Sequence, residues 1–253
     1  MQGKQGTSRR SAKRRLEQAS LPFRQHGGRR EGAGRKPRRG TPGVAHAPRS
    51  PRRAQHPSLV TAKLREHLPR LRNAVERAVL FAAFVAGKER GGFRLVHFAI
   101  LNDHLHLLVE AESIVAMQAG VQGLLIRVAR ALNRHWRRRG PVFADRFHDR
   151  PLRSPREVRN ALVYVLGNAR KHAAAGRMLQ AAQGPDEHSS ARWFDGYLDA
   201  AVPPLPIDAL APVVAPRTWL LTRGWRRHGL IGVGETPRTA STTVARPRAA
   251  APT

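Results

Sequence analysis

The sequence predicts an α+β fold, a four-stranded antiparallel sheet in the order β-α-β-β-α-β with one further helix after it. Three observations carry that expectation. Phe93 to Leu101 (FRLVHFAIL) and His104 to Glu110 (HLHLLVE) are strand-like runs on either side of Asn102-Asp103, a two-residue link of the kind that closes a hairpin. Apolar residues at helical spacing lie before and after that hairpin. A complete helix-start signal stands at Ser154-Pro155-Arg156-Glu157. There Ser caps, Pro takes the first helical position, where no N–H is needed, and Glu follows three residues after the cap.

Taken in order, Ser58 to Leu64 (SLVTAKL) reads as a β-branched strand. Pro69 to Ala86 is expected to be a helix with Leu71, Val75, Val79 and Ala82 on one face, ended before Gly91-Gly92. The hairpin follows. Ser113 to about Arg138 is a long helix whose apolar side is Met117, Val121, Leu124, Val128 and Leu132. Arg127, Arg130 and Arg134 lie elsewhere on it and are candidate nucleic-acid contacts. Pro141 to Leu152 is the expected fourth strand, its two prolines confining it to the stretch between them. The capped helix then runs to about Lys171. This is the ferredoxin-like arrangement, with helices on one face of the sheet and the other face open to a ligand. Many functions use it, so the site must decide among them.

The chain has 253 residues, with 46 Lys and Arg against 17 Asp and Glu, a formal net charge of +29 and a pI near 12.0. That balance points to a polyanionic partner, nucleic acid first. Residues 1–56 hold sixteen of the basic residues and only Glu17 and Glu31 as acids, with no sustained apolar period, and are expected to be a disordered arm. Within it Arg35, Lys36 and Arg38, beside Gly and Pro, suit a narrow minor groove. Residues 57–175 form the expected catalytic domain, 176–234 an accessory segment and 235–253 a disordered tail. Within the accessory segment, Arg192 to Leu198 and Pro216 to Gly229 carry every Trp except Trp136, to pack on the domain or to touch DNA. The chain has no cysteine, which excludes disulfides, thiol catalysis and Cys-ligated zinc. It has neither an apolar run long enough to cross a membrane nor a signal peptide, so the expected location is the cytoplasm, at the nucleoid.

Two elements carry chemistry. On a strand, alternate side chains share a face, so His104 and His106 point the same way and suit one divalent ion. Tyr164, one of two tyrosines with Tyr197, lies off the apolar stripe of its helix (Val158, Leu162, Val165, Leu166). It shares its side with Asn160, Asn168 and Lys171, the last a candidate DNA contact. A phenolate is a competent nucleophile toward a phosphodiester, and a divalent ion offsets phosphate charge. The ion needs a third ligand, for which the candidates are Asn168, Glu110 and Asp149.

The stretch Phe98 to Val109 resembles the HUH motif of single-tyrosine transposases. Gly140 to Phe147 and Val163 to Asn168 resemble the later motifs of REP-associated tyrosine transposases. The resemblance covers about residues 56–175 and departs from the family at Asp103, where relatives commonly have Asn after Pro, and at Ala169, where they have Pro. It implies that His104 and His106 hold Mg²⁺ or Mn²⁺, that Asn168 is a polar ligand and that Tyr164 is the nucleophile. It further implies cleavage of single-stranded or hairpin DNA through a 5′-phosphotyrosine, in a monomer or a homodimer. A non-catalytic DNA-binding regulator on the same scaffold is the alternative. An RNA-binding domain that stacks bases on strand aromatics is disfavoured, since alternation puts Phe93 and Phe98 on opposite faces.

Overall fold

The computed structural model describes residues 53–168, 170, 184–199 and 202–236. The arm residues Arg35, Lys36 and Arg38, as well as Lys171, lie outside the described residues. The fold is α+β around a five-stranded antiparallel sheet. Its strands are β1 (Ser58–Lys63), β2 (Glu89–Arg90), β3 (Phe93–Ile100), β4 (His104–Ala111) and β5 (His148–Pro151). They stand in the order β2-β3-β4-β1-β5, so β1 is held between β4 and β5. The Asn102-Asp103 link closes the β3–β4 hairpin as expected, with the Leu101 N–H donating to the His104 carbonyl at 3.0 Å.

Both faces of the sheet are covered. On one, Val60, Leu95, Phe98, Leu105, Leu107 and Val109 pack beneath helices α1 (Ala74–Val85) and α2 (Ile114–His135). The apolar side expected of α2 is the side it buries, Met117 through Leu132. Gly120 is where α2 crosses β3, since a Cβ there would lie 2.1 Å from the Phe93 ring. The other face was expected to be open, and it is not. Val96 and Leu108 are buried there under α3 (Pro155–Leu166) and under residues from the C-terminal third, among them Phe194, Leu220, Leu221 and Trp225. The short helix α4 (Trp219–Thr222) and a 3-10 turn over Gly224–His228 form that second layer beside α3. Segments 184–199 and 202–236 thus build a core in common with α3.

Several expected boundaries move, each for a local reason. Helix α1 starts at Ala74 rather than Pro69 because Asn73 caps it, its side-chain oxygen accepting from the Val75 and Glu76 amides at 3.0 and 3.1 Å. The buried face is consequently Glu76, Leu80, Ala83 and Phe84, while Val75 and Ala82 are exposed. The fourth strand is regular only over His148–Pro151; upstream, Phe143 bridges Leu64 and the chain between them leaves the ladder. Pro151 is tolerated within the strand because β5 is an edge. Helix α2 ends at His135, short of Arg138, where Arg137 adopts a left-handed φ of 49°.

The expectation for Phe93 and Phe98 is also overturned. A bulge at Val96 shifts the β3–β4 register from Leu95↔Val109 to His97↔Leu108. One extra residue reverses the alternation. Phe93 and Phe98 therefore both point into the core beneath α1 and α2, and neither can stack a base. The same bulge turns His97 toward the α3 side, where it is buried with its Nδ1 3.1 Å from Ser190 Oγ. That serine also accepts from the Phe98 amide at 3.0 Å, and the Ile100 amide donates to His188 O at 2.8 Å, so residues 188–190 cover the free edge of β3. An Arg72–Asp186 pair fixes this cover, with two contacts of 2.8 and 2.9 Å and a third from Arg72 to the Ile100 carbonyl.

Burial lowers the His97 pKa to about 3, so the folded state holds it neutral. Unfolded, it titrates near its ordinary value. Between those two values the unfolded chain binds the extra proton, so this residue makes stability fall as pH drops below about 6.5, on the order of 5 kcal/mol across the whole window. Denaturant melts of wild type and His97→Gln from pH 7 to 4 check this. The stability difference between them should shrink steadily with acid, and parallel curves would show that His97 is not held neutral.

Candidate active site

Strand β4 places His104 and His106 on one face, as its alternation requires, and the chain fastens each ring from behind. Thr61 is the β1 partner of His106 in the ladder, and its Oγ1 lies 3.0 Å from His106 Nδ1. Asp103 Oδ1 lies 2.7 Å from His104 Nδ1. The turn that carries Asp103 is itself tied down, since the Leu64 amide donates to Asp103 O at 2.7 Å and the Leu71 amide to Asn102 O at 3.0 Å. Burial pushes the Asp103 carboxyl up, but its bond to His104, the charge of that ring and Lys63 outweigh this and leave it below the ordinary carboxylate range. With both Nδ1 atoms engaged, the two Nε2 atoms face each other at 3.2 Å, the rings 80° apart. Anchoring the rear nitrogen is how proteins orient metal-binding imidazoles and fix their tautomers.

Helix α3 brings in the third group. Its start is as expected, a capping box in which Ser154 and Glu157 exchange hydrogen bonds, with Pro155 in the first turn. The helix buries Val158, Leu162, Val165 and Leu166 and leaves Tyr164 half-buried at the margin of that face. The Tyr164 hydroxyl reaches His106 Nε2 at 3.1 Å. Three functional atoms from β4 and α3 therefore meet at one point.

Helix α3 ends at Leu166, where the chain breaks at Gly167, and the backbone is helical again at Asn168 and Arg170; Lys171 lies outside the described residues. Asn168 follows the break and is fully buried, and neither its Oδ1 nor its Nδ2 makes a well-formed hydrogen bond among the described residues. It sits beside Tyr164: burial raises the phenol pKa above its ordinary value, and the Asn168 amide offsets part of that rise. A buried carboxamide beside Tyr164, whose hydroxyl meets one of two convergent imidazoles, fits a divalent ion with mixed nitrogen and oxygen donors. Among the described residues no three His, Asp or Glu side chains cluster so as to hold a metal. The fit therefore depends on the amide.

The other candidates are elsewhere. Glu110 lies on β4 beyond His106, but its carboxylate accepts the Arg217 and Thr218 amides at 2.7 to 3.0 Å and holds the start of α4. Asp149 pairs with Val60, whose side chain is on the α1–α2 face, so it points away from the imidazoles. Asn160 is exposed. Tyr197 packs against Phe194 with ring centroids 5.0 Å apart, in a setting whose burial raises its pKa to about 12, and is not part of the His cluster. Arg127, Arg130 and Arg134 belong to α2, across the sheet from Tyr164. Asp103 and Thr61 are site residues that the sequence reading had not assigned. The adjacency of Asp103 to His104 was a visible signal, whereas Thr61 required the β1–β4 register.

No protein-family profile and no curated protein sequence matches the chain. Among solved structures, that of a REP-associated tyrosine transposase bound to a REP hairpin is similar to it at 16% identity and a TM-score of 0.43, over 54% of this chain and 78% of that one. Among the described residues no helix is long and apolar enough to cross a membrane.

A buried amide without partners destabilises the metal-free protein by roughly 1–3 kcal/mol. Replacement by an apolar side chain of similar size removes that cost. Asn168→Leu, melted in excess chelator, should be as stable as wild type or more stable by a few degrees. A melting point lower by several degrees would show that the amide is paired in solution and has a structural role.

Proposed function

We propose that this protein cleaves and rejoins single-stranded DNA by tyrosine transesterification, as a transposase-type strand-transferase of the HUH class. The observation that carries the reading is the meeting of Tyr164 Oη, His106 Nε2 and His104 Nε2 within 3.1 and 3.2 Å, at rings anchored from behind by Thr61 and Asp103. A core tyrosine does not need two oriented imidazoles, and a binding-only protein needs no nucleophile at their focus. The β3-β4-β1-β5 strand order supports the ferredoxin-like reading of the scaffold.

Tyr164 Oη attacks the phosphorus of a phosphodiester. The new bond joins the phenol oxygen to phosphorus, the P–O3′ bond breaks, and the product is a 5′-phosphotyrosine with a free 3′-hydroxyl. The phenol gives up its proton and the departing 3′-oxygen takes one, so charge balances. Attack by another 3′-hydroxyl reverses the exchange and joins a new strand. His104, His106 and Asn168 would hold Mg²⁺ or Mn²⁺, which supplies positive charge to the phosphate and favours the phenolate. Helix α3 fixes the direction of the nucleophile, and its apolar underside keeps the phenol half-shielded from water. The net charge of +29 suits a polyanionic substrate.

Incubation of the full chain with labelled single-stranded DNA and Mn²⁺ should yield a covalent adduct that survives denaturation. Tyr164→Phe should lower its yield roughly thousandfold or more and leave binding nearly intact. His104→Ala or His106→Ala should abolish it and weaken Mn²⁺ binding in calorimetry by about 10–100-fold. Undiminished adduct in Tyr164→Phe, or wild-type Mn²⁺ affinity in the double His variant, would remove the assignment.

A further inference from the structure

The sheet face that carries the imidazoles is not covered all the way to its edge. Two ladders set what lies beside them. In β1–β4, Lys63 pairs with His104 and Thr61 with His106; in β1–β5, Thr61 pairs with His148 and Leu59 with Arg150. Paired residues share a face, so Lys63, Thr61, His148 and Arg150 continue the His104–His106 surface outward. Cover from α3 reaches Leu59, which is partly buried in its cluster, and Glu157 of α3 meets Arg150 at 3.3 Å. Beyond that, Lys63 and His148 are exposed. Among the described residues no side-chain hydrogen bond or ion pair holds the His148 ring, and Asp103, whose carboxyl feels the Lys63 charge, is already bound to His104. The result is a shelf one or two strands wide, roughly 5–10 Å, that starts beside Tyr164 and ends at the sheet edge.

We propose that Lys63 and His148 form a phosphate subsite that holds the backbone of a single nucleic-acid strand next to the phosphodiester presented to Tyr164. The claim rests on the transesterification reading for what happens at Tyr164 but not for what binds the shelf. Lys63 offers an ammonium and His148 an imidazole N–H, both donors to phosphate oxygen. The neighbouring carboxylates, Asp103 and Glu157, already have partners in His104 and Arg150, which leaves the exposed Lys63 ammonium to meet a phosphate. Its width of one or two strand spacings suits a single backbone. Charged side chains on an edge strand also discourage sheet-to-sheet pairing, but that role has no preference for the face beside the imidazoles. The two residues are binding groups, and their loss should weaken substrate capture more than it slows the chemistry.

The test uses full-length Tyr164→Phe protein, so that no turnover intervenes, and fluorescein-labelled oligothymidylate at several salt concentrations. Adding Lys63→Ala should weaken binding roughly threefold or more and reduce the slope of log Kd against log salt by about 0.7, one phosphate contact. Lys63→Arg should restore most of both. His148→Ala should weaken binding further when combined with Lys63→Ala. Arg90→Ala, on β2 at the opposite edge of the sheet, is the control for bulk charge and should leave the slope within error. With Tyr164 intact, Lys63→Ala should raise the DNA concentration needed for half-maximal adduct and leave the saturating rate within about twofold. Wild-type affinity and slope in a folded Lys63→Ala, His148→Ala double variant would overturn the subsite, as would an equal loss in Arg90→Ala. Adduct formed normally alongside that result leaves the proposed chemistry standing without the shelf. A lowered slope in a protein that never forms adduct does the reverse.

Discussion

The antiparallel pairing of β1 with β4, in register from Ser58↔Val109 to Lys63↔His104, is the contact on which the rest depends. It puts Thr61 behind His106, which settles the orientation of that imidazole. It brings Lys63 beside His104 and sets the β1 backbone against which the Asp103 turn is tied. By seating β1 beside β4 it also gives β5 an edge to pair with. A slip of one residue would send Thr61 to the opposite face and replace it behind His106 with an apolar neighbour, Val60 or Ala62. The residues that forbid the slip are Val60, Ala62 and Leu64, all buried under α1 and α2 and all lost to solvent or to the wrong layer if the register moved.

Covering both faces has a second effect. With α1 and α2 on one side and α3, Trp225 and Phe194 on the other, β3 and β4 are almost wholly buried. Polar side chains in them survive only where they are satisfied. Glu110 holds two backbone amides, Arg94 meets Glu89 and the Ala215 carbonyl, and His97 meets Ser190. His104 and His106 lie at the hairpin end of β4, where α3 passes with Tyr164 and the cover thins toward β5. Asn168, buried beside Tyr164, makes no well-formed hydrogen bond among the described residues, a condition it shares with the His188 ring and the Thr218 hydroxyl.

Most of the strand and helix plan could be read from local pattern. The Asn102-Asp103 turn, the capping box at Ser154 and the Met117-to-Leu132 stripe are each decided by residues close in sequence, and each is found. Errors arose where a single residue competes with the pattern. Asn73 took the cap and moved the start of α1, Val96 bulged and carried Phe98 to the same side as Phe93, and Gly167 broke the helix before Asn168. The covered second face also had a signal, the unbroken apolar run Leu107-Leu108-Val109, since continuous rather than alternating apolarity implies burial on both sides. Of the site, His104, His106 and Tyr164 were legible because spacing within one element puts His104 and His106 on a common face and takes Tyr164 off the apolar one. Thr61 was not, because its place follows only from a pairing between residues 45 apart.

The segment from Asp186 to Ile231 clamps the edge of β3 through Arg72 and His188, and it supplies Phe194, Trp225 and Ile231 to the layer that seats α3. Contacts of that sequence separation, 114 residues for Arg72 with Asp186, close late. During synthesis, β1 through α3 emerge first, with one side of the sheet and the β3 edge beyond its short pairing with β2 bare until the C-terminal third clears the ribosome. A nascent chain at that stage exposes Val96, Leu108 and Leu162 together with an unpaired strand edge, the combination that recruits chaperones or a neighbouring chain. Tyr164 therefore acquires its fixed position above His106 only in the last phase of folding, so a chain stalled before residue 225 would carry every candidate catalytic side chain without the layer that seats α3.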